Sequence, residues 1–325
     1  MTAGGVLLLF PGQGSQTLGM GHHLWETYPE AREVFAQAEE YLGWDLRGLC
    51  MHGPLEELTR TDRAQPAIFV TGVATWRVLQ KRRVTAEVAL GHSLGEYTAL
   101  VAAGHLSFAD ALRVVAARGL AMQRCGEEQA GTMAAIIGLS DEAIESLCRE
   151  IGGVWPANYN SPGQVVVSGT PEGVAEAMAK ATERGARRVL PLQVSGAFHS
   201  PLVAGAAEEL RRVLESVEIT PGDSSGRDPE AGGGGRPRFF SSTEVRYPQA
   251  GELKKVLPAQ LTSPVRFSQS LEAVLSETTA GVECGPGGVL AGLVKRVSRR
   301  FPVYLTEDAP ALQEALHRLG SGPSA

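Results

Sequence analysis

The chain has 325 residues, of which 43% are hydrophobic and 20% charged, and its formal net charge is −6. That length suits one large domain carrying a smaller one, and the mild acidity speaks against nucleic-acid binding. The four cysteines, Cys50, Cys125, Cys148 and Cys284, contain no C-x-x-C pair, so neither a metal site nor a disulfide framework is expected, and reduced thiols in a cytoplasmic protein are.

The opening MTAGGVLLLF lacks a basic segment, and its apolar run is too short for a signal or a membrane span. Its residues 6–10 form a continuous apolar pentad, which predicts a strand buried on both faces. The loop that follows, Pro11-Gly12-Gln13-Gly14-Ser15-Gln16, is Gly-rich but has neither the G-x-G-x-x-G spacing nor the Lys-Ser/Thr of a phosphate loop. It reads instead as a loop whose exposed backbone N–H groups face a developing negative charge. His22 and His23 read as a solvated loop pair. Helical spacing follows over 24–41 and 65–80, with Pro66 in the first turn of the second helix.

A short apolar run then ends at Gly91-His92-Ser93-Leu94-Gly95, and a helix over 94–103 closes at Gly104. When a strand passes through Gly-x-Ser-x-Gly directly into a helix, the turn is so tight that only glycine at positions 91 and 95 avoids neighbouring backbone. Such a turn pushes the serine oxygen outward. The helix N-terminus behind it presents free N–H groups and a partial positive charge to any anion formed there. This is the pattern of a nucleophile elbow, although five residues alone serve equally for an N-cap serine between two glycines.

Ser107 and Asp110 resemble a capping box, opening a helix to about residue 123 that carries Arg113 and Arg118 on different faces. Read locally, each is a solvated or salt-bridged surface arginine. From 131 to 197 the pattern changes to strand 133–139, helix 141–150, strands 154–158 and 164–168, helix 171–184 and strand 188–194. That order is βαββαβ, a ferredoxin-like unit inserted in a longer α/β chain, with Asn160-Ser161-Pro162-Gly163 as its hairpin turn. Ser195-Gly196-Ala197-Phe198-His199-Ser200-Pro201 comes next. A histidine at such a loop-to-helix junction is exposed by default and suits either a cap or a base. Residues 221–238 are polar and rich in Gly and Pro, which predicts a flexible surface loop. A strand over 239–245, a polar turn over 260–264, a strand reaching Cys284, the Gly285-Pro286-Gly287-Gly288 loop and a final helix complete the chain, with a tail expected to fray from Gly320.

With GHSLGEY (91–97) and GAFHS (196–200) both present, the chain resembles the malonyl-CoA:acyl-carrier-protein transacylases, the acyltransferases of fatty-acid and polyketide synthesis. FPGQGSQ (10–16), the helix holding Arg118-Gly119, NSPGQVVVSG (160–169) and GPGGVLAGLVKR (285–296) extend the match from end to end. The resemblance implies a large α/β-hydrolase-like domain with a parallel sheet (1–130 and 198–325), interrupted by the small ferredoxin-like domain (131–197), with the site in the cleft between them. It implies Ser93 as nucleophile, His199 as its base, and a backbone carbonyl at Gln260 orienting the histidine. Backbone N–H groups of Gln13 and Leu94 would form the oxyanion hole, Arg118 would hold the substrate carboxylate, and Phe198 would crowd out a branched extender. Malonyl-CoA and a phosphopantetheinyl acyl carrier protein are the implied substrates, with no bound cofactor or metal, no nucleic acid, no membrane, and a monomeric protein. The rival readings are an α/β-hydrolase esterase, which would need an acid such as Asp141 or Glu183 in the small unit, and a docking module that has lost its chemistry.

Overall fold

Nine strands carry the fold among the described residues, which are 5–222 and 236–320 of this computed structural model. β1 (Gly5–Phe10), β2 (Ala86–Gly91), β7 (Arg238–Phe240), β8 (Thr278–Glu283) and β9 (Val303–Tyr304) form one sheet in the order β7-β2-β1-β8-β9, every neighbouring pair parallel. β3 (Thr132–Ile137), β4 (Val154–Ser161), β5 (Gln164–Gly169) and β6 (Arg188–Pro191) form a separate antiparallel sheet in the order β4-β5-β3-β6.

The apolar pentad of β1 explains why it sits at the centre of the parallel sheet. Val6, Leu8 and Phe10 point into one hydrophobic core, whereas Leu7 and Leu9 point into a second core on the opposite face. A strand with both faces covered by helices needs no polar alternation. The antiparallel sheet divides its faces differently. Ala134, Ile136, Val165 and Val167 pack against the helices Asp141–Ile151 and Pro171–Glu183 in a third core, while their alternating neighbours Met133, Ala135 and Val166 face the opposite way and line a cleft. Period-two alternation thus turns one face of the small sheet into a wall.

Several local expectations differ from the structure. The strand expected over 188–194 ends at Pro191; Leu192 N–H still donates to Met133 O, but Val194 N–H folds back to Leu192 O and the segment turns into the cleft. The strand expected over 239–245 ends at Phe240, because the polar groups of 241–243 turn inward to a buried carboxylate, Glu96. His22 and His23 open the helix His22–Thr27 and do not lie in a loop. Gln260 ends the helix Ala250–Gln260 and does not begin a turn. The helix Val289–Val297 is followed by β9 and a further helix, Ala309–Leu319. Gly320 itself is held by a bridge to Val84. The tail beyond it, and residues 223–235 of the loop expected at 221–238, lie outside the described residues. No described helix is long and apolar enough to cross a membrane.

Candidate active site

Parallel register brings two loops together at the carboxyl ends of the central strands. Phe10 pairs with Gly91, so the Gly-rich loop after β1 lies beside the turn after β2, and His92 N–H donates to Phe10 O at 3.0 Å. The turn is as tight as its sequence predicts. A Cβ on Gly91 would come within 2.0 Å of the Gly95 carbonyl carbon, and one on Gly95 within 2.0 Å of Phe10 O. Ser93 sits between them with φ of 51°, in the left-handed region. That conformation is costly for a residue with a side chain, and the surrounding contacts hold it there. His199, on the other wall, has φ of 59°.

Ser93 Oγ lies 2.8 Å from His199 Nε2. His199 Nδ1 faces two backbone carbonyls, Gln260 O at 2.9 Å and Ser263 O at 3.2 Å. Two carbonyls can only accept, so Nδ1 carries the ring proton and Nε2 keeps a lone pair for the serine hydroxyl. His199 is 4% exposed, which corrects the expectation of an exposed junction residue: the whole turn at Ala197–Ser200 is buried and is closed by Ser200 Oγ donating to Ala197 O. Burial and the neighbouring Arg118 charge push the His199 pKa down to about 3, so the ring is neutral at ordinary pH and its Nε2 lone pair is unprotonated.

Arg118 departs most from its local reading. It is 1% exposed and among the largest fully buried side chains of the protein. Its Nη2 donates to Ser93 Oγ at 3.0 Å and to Gln260 Oε1 at 3.0 Å, and Nη1 to Gln65 Oε1 at 2.7 Å; its Nε–H has no protein acceptor. Tyr97 covers the guanidinium with its ring centre 5.5 Å away. Desolvation lowers the Arg118 pKa from its ordinary value. Arg113, five residues earlier, stays at the surface and bonds Ser216 O at 3.2 Å.

A cavity of about 510 Å³ opens onto Ser93 and His199 and is lined by the loops after β1 and β2 and by one face of the antiparallel sheet. Gln13 and Leu94 line it beside the serine, and neither backbone N–H donates to another group among the described residues. Phe198, buried at 5% exposure, walls it next to His199. The small sheet contributes Asn158, Asn160 and Gln164, and Asn160 Oδ1 meets His92 Nε2 at 2.8 Å. Asp141 and Glu183, the acids an esterase reading would need, belong to the helices that cover the far face of the small sheet. Every residue expected at the site is therefore gathered in one place.

Two neighbours were not anticipated. Gln65 bridges Arg118 to the Gly-rich loop through Gln13, whose own amide reaches Thr61 Oγ1 at 3.1 Å. Glu96, three residues after Ser93, is completely buried, and its Oε2 accepts from Gln260 Nε2 at 2.6 Å. A charged residue in the first turn of the completely buried helix Gly95–Ala102 was the available signal for it.

This fold and site fall within a known class: residues 7–313 match the family model described as an acyl transferase domain. The chain is 40% identical to the malonyl CoA-acyl carrier protein transacylase of Bacillus subtilis (strain 168) over 97% of each protein. It is also 40% identical to that of Escherichia coli (strain K12), over 95% of this chain and 97% of the relative. Among solved structures, a malonyl-transacylase in complex with its type II PKS acyl-carrier protein superposes with a TM-score of 0.89 at 38% identity, covering 97% of this chain and 99% of that one. The malonyl CoA-acyl carrier protein transacylase of Coxiella burnetii gives a TM-score of 0.90 at 34% identity, covering 98% and 99%. The chain belongs to the malonyl CoA-acyl carrier protein transacylase family of acyl transferases.

Proposed function

We propose that this protein moves a malonyl group from malonyl-CoA to the phosphopantetheine thiol of an acyl carrier protein, in fatty-acid or polyketide synthesis, through a malonyl ester on Ser93. The observation that carries the reading is the continuous set of contacts from Gln260 O through His199 to Ser93 Oγ and on to the Arg118 guanidinium. Ser93 Oγ attacks the thioester carbonyl as His199 Nε2 takes its proton, and the carbonyl oxygen becomes an oxyanion facing the N–H groups of Gln13 and Leu94. The tetrahedral species collapses, the C–S bond breaks, and the CoA thiolate leaves with the proton returned by His199. The carrier thiol then gives its proton to the same nitrogen, attacks the ester, and releases Ser93. Two half-reactions on one serine require ping-pong kinetics.

The buried, permanently charged Arg118 supports a substrate that ends in a carboxylate, because a guanidinium grips a carboxylate through charge-assisted hydrogen bonds. Phe198 beside the base leaves little room for a branch at the carbon between thioester and carboxylate, so discrimination against methylmalonyl is partial, worth about 1–3 kcal/mol. An esterase of the hydrolase type would hold His199 Nδ1 with an acid, where this site offers two carbonyls.

The further readings belong to the same proposal. The strand order β4-β5-β3-β6 supports a ferredoxin-like small domain over 131–197, inserted in a hydrolase-like large domain of 1–130 and 198–325. The protein works without a bound cofactor, as a monomer in the cytoplasm. The experiment is to incubate it with malonyl-CoA and read the intact mass. One malonyl added at Ser93, discharged on adding carrier protein, is the expected result; acylation that survives Ser93→Ala, or rapid hydrolysis with no transfer, overturns it.

A further inference from the structure

Arg118 is a buried cation with no carboxylate in direct contact among the described residues, and Glu96 is a buried carboxylate with no direct cation. Two such charges cannot stand uncompensated in an apolar interior. What lies between them is the side-chain amide of Gln260. Its Oε1 accepts from Arg118 Nη2 at 3.0 Å, and its Nε2 donates to Glu96 Oε2 at 2.6 Å and to Ser93 O at 3.1 Å. The amide dipole thus runs with its oxygen toward the cation and its N–H groups toward the anion. The same residue supplies the carbonyl that faces His199 Nδ1.

We propose that Glu96 is a positioning residue that acts through Gln260: it is the indirect counter-charge of Arg118, and it fixes the one residue that touches nucleophile, base and arginine together. This rests on the reading that Arg118 receives the malonyl carboxylate. A direct Glu–Arg ion pair would spend the guanidinium on the protein. Interposing the Gln260 amide places the carboxylate near the cation without a direct ion pair, so the guanidinium can exchange its neutral partners, Ser93, Gln65 and Gln260, for a substrate carboxylate.

The surroundings of Glu96 are arranged for a carboxylate. Its Oε1 accepts from Ser242 N–H, from Ser242 Oγ at 2.9 Å, from Ser241 Oγ at 3.2 Å and from Thr243 N–H at 3.3 Å. With Gln260 Nε2 on Oε2, every one of these partners donates. Burial pushes the carboxyl pKa up, and these donors oppose only part of that rise. An amide at position 96 has one acceptor and one NH2 group. Whichever way it is turned, the NH2 meets a donor, either Gln260 Nε2 or the 241–243 segment, and Gln260 is displaced.

The test compares malonyl-CoA with acetyl-CoA as donor. Glu96→Gln should lower the malonyl-to-acetyl ratio of kcat/KM by about tenfold or more, the scale of a coupled pair of residues. Gln260→Ala should do the same with Glu96 intact. The double variant should be no worse than Gln260→Ala alone, since Glu96 has nothing left to act through. Glu96→Asp, which keeps the charge but draws it back by one methylene, should fall between wild type and Glu96→Gln, and it decides the matter should the Gln variant fail to fold. A ratio unchanged in Glu96→Asp and Gln260→Ala, or losses that simply add in the double variant, would overturn the proposal. Mass spectrometry of the wild-type protein separates the two levels: absent malonylation of Ser93 defeats the transfer reading, whereas normal malonylation with an unchanged ratio in the variants defeats this inference alone.

Discussion

Ser93 Oγ stands between a base and a cation, and both set its chemistry. It donates to His199 Nε2 and accepts from Arg118 Nη2. Arg118→Ala removes charge-assisted hydrogen bonds worth about 1.5–3 kcal/mol each, so malonyl transfer should fall about 10- to 100-fold in kcat/KM while acetyl transfer is spared. Steady-state rates with the two donors check it, and equal losses would make the arginine structural. His199 yields a pH prediction. Protonation of Nε2 abolishes the base, and burial with the Arg118 charge moves that protonation from the ordinary 6.5 to about 3. The kcat/KM of the free enzyme should therefore stay level as pH falls through 6.5, breaking only well below 5. A break near 6.5 in the pH–rate profile would place an unshifted histidine in the base's role. The elbow at Ser93 was legible locally, because two glycines set it, but its reading as a nucleophile needed the distant GAFHS segment. Read locally, Arg118 stayed at the surface and only the resemblance brought it to the site, because the groups that bury it, Gln65, Tyr97 and Gln260, come from three other segments.

At the scale of elements, the elbow and the helix behind it depend on close backbone approach. Gly95→Ala would place a Cβ 2.0 Å from Phe10 O, a rigid backbone atom of β1. Loss of about 1–3 kcal/mol in a denaturant titration is expected, together with slower acylation as Ser93 shifts. At the end of β8, Glu283 is completely buried and accepts from Leu290 N–H at 3.0 Å and Ala291 N–H at 2.8 Å, capping the helix Val289–Val297 whose first turn walls the cleft. Burial outweighs these bonds and pushes its pKa up to about 7. An acid whose folded pKa exceeds its unfolded value holds its proton more tightly when folded. Its contribution to stability is full below the unfolded value, near 4.5, and is lost as pH rises through about 7. Glu283→Gln should flatten that part of a melting-temperature series between pH 4.5 and 8, and an unchanged slope would show that the carboxyl titrates elsewhere. Strands and helices were legible where periodicity ran clean, as in β1, β3 and β5. The ends of β6 and β7 were not, because segments 192–194 and 241–243 leave their sheets for the cleft wall and for Glu96.

For the molecule as a whole, the antiparallel sheet and the loops after β1 and β2 wall a cleft that is tied at several points. Val265 exchanges backbone hydrogen bonds with β4, through Tyr159 N–H to Val265 O and Val265 N–H to Ala157 O, both 2.8 Å. Thr61 Oγ1 meets Ser195 Oγ at 2.9 Å, and His92 Nε2 meets Asn160 Oδ1 at 2.8 Å. The order βαββαβ was legible in the sequence, but these ties were not, since each joins residues far apart in the chain. They imply that the small sheet is held in place and does not swing freely over the serine. The His92–Asn160 bond tests this, because it is made by side chains alone and is partly buried. Asn160→Ala removes it, a loss of about 0.5–1.5 kcal/mol, and unfastens the wall beside Ser93. Hydrogen exchange should then quicken for the amides of β4 and β5 while those of β1 and β2 keep their protection, because local opening is confined to the segment that has lost its anchor. Equal quickening in both sheets would mean that the bond serves global stability, and no change in either would mean that the Val265 and Thr61–Ser195 contacts fasten the cleft without it.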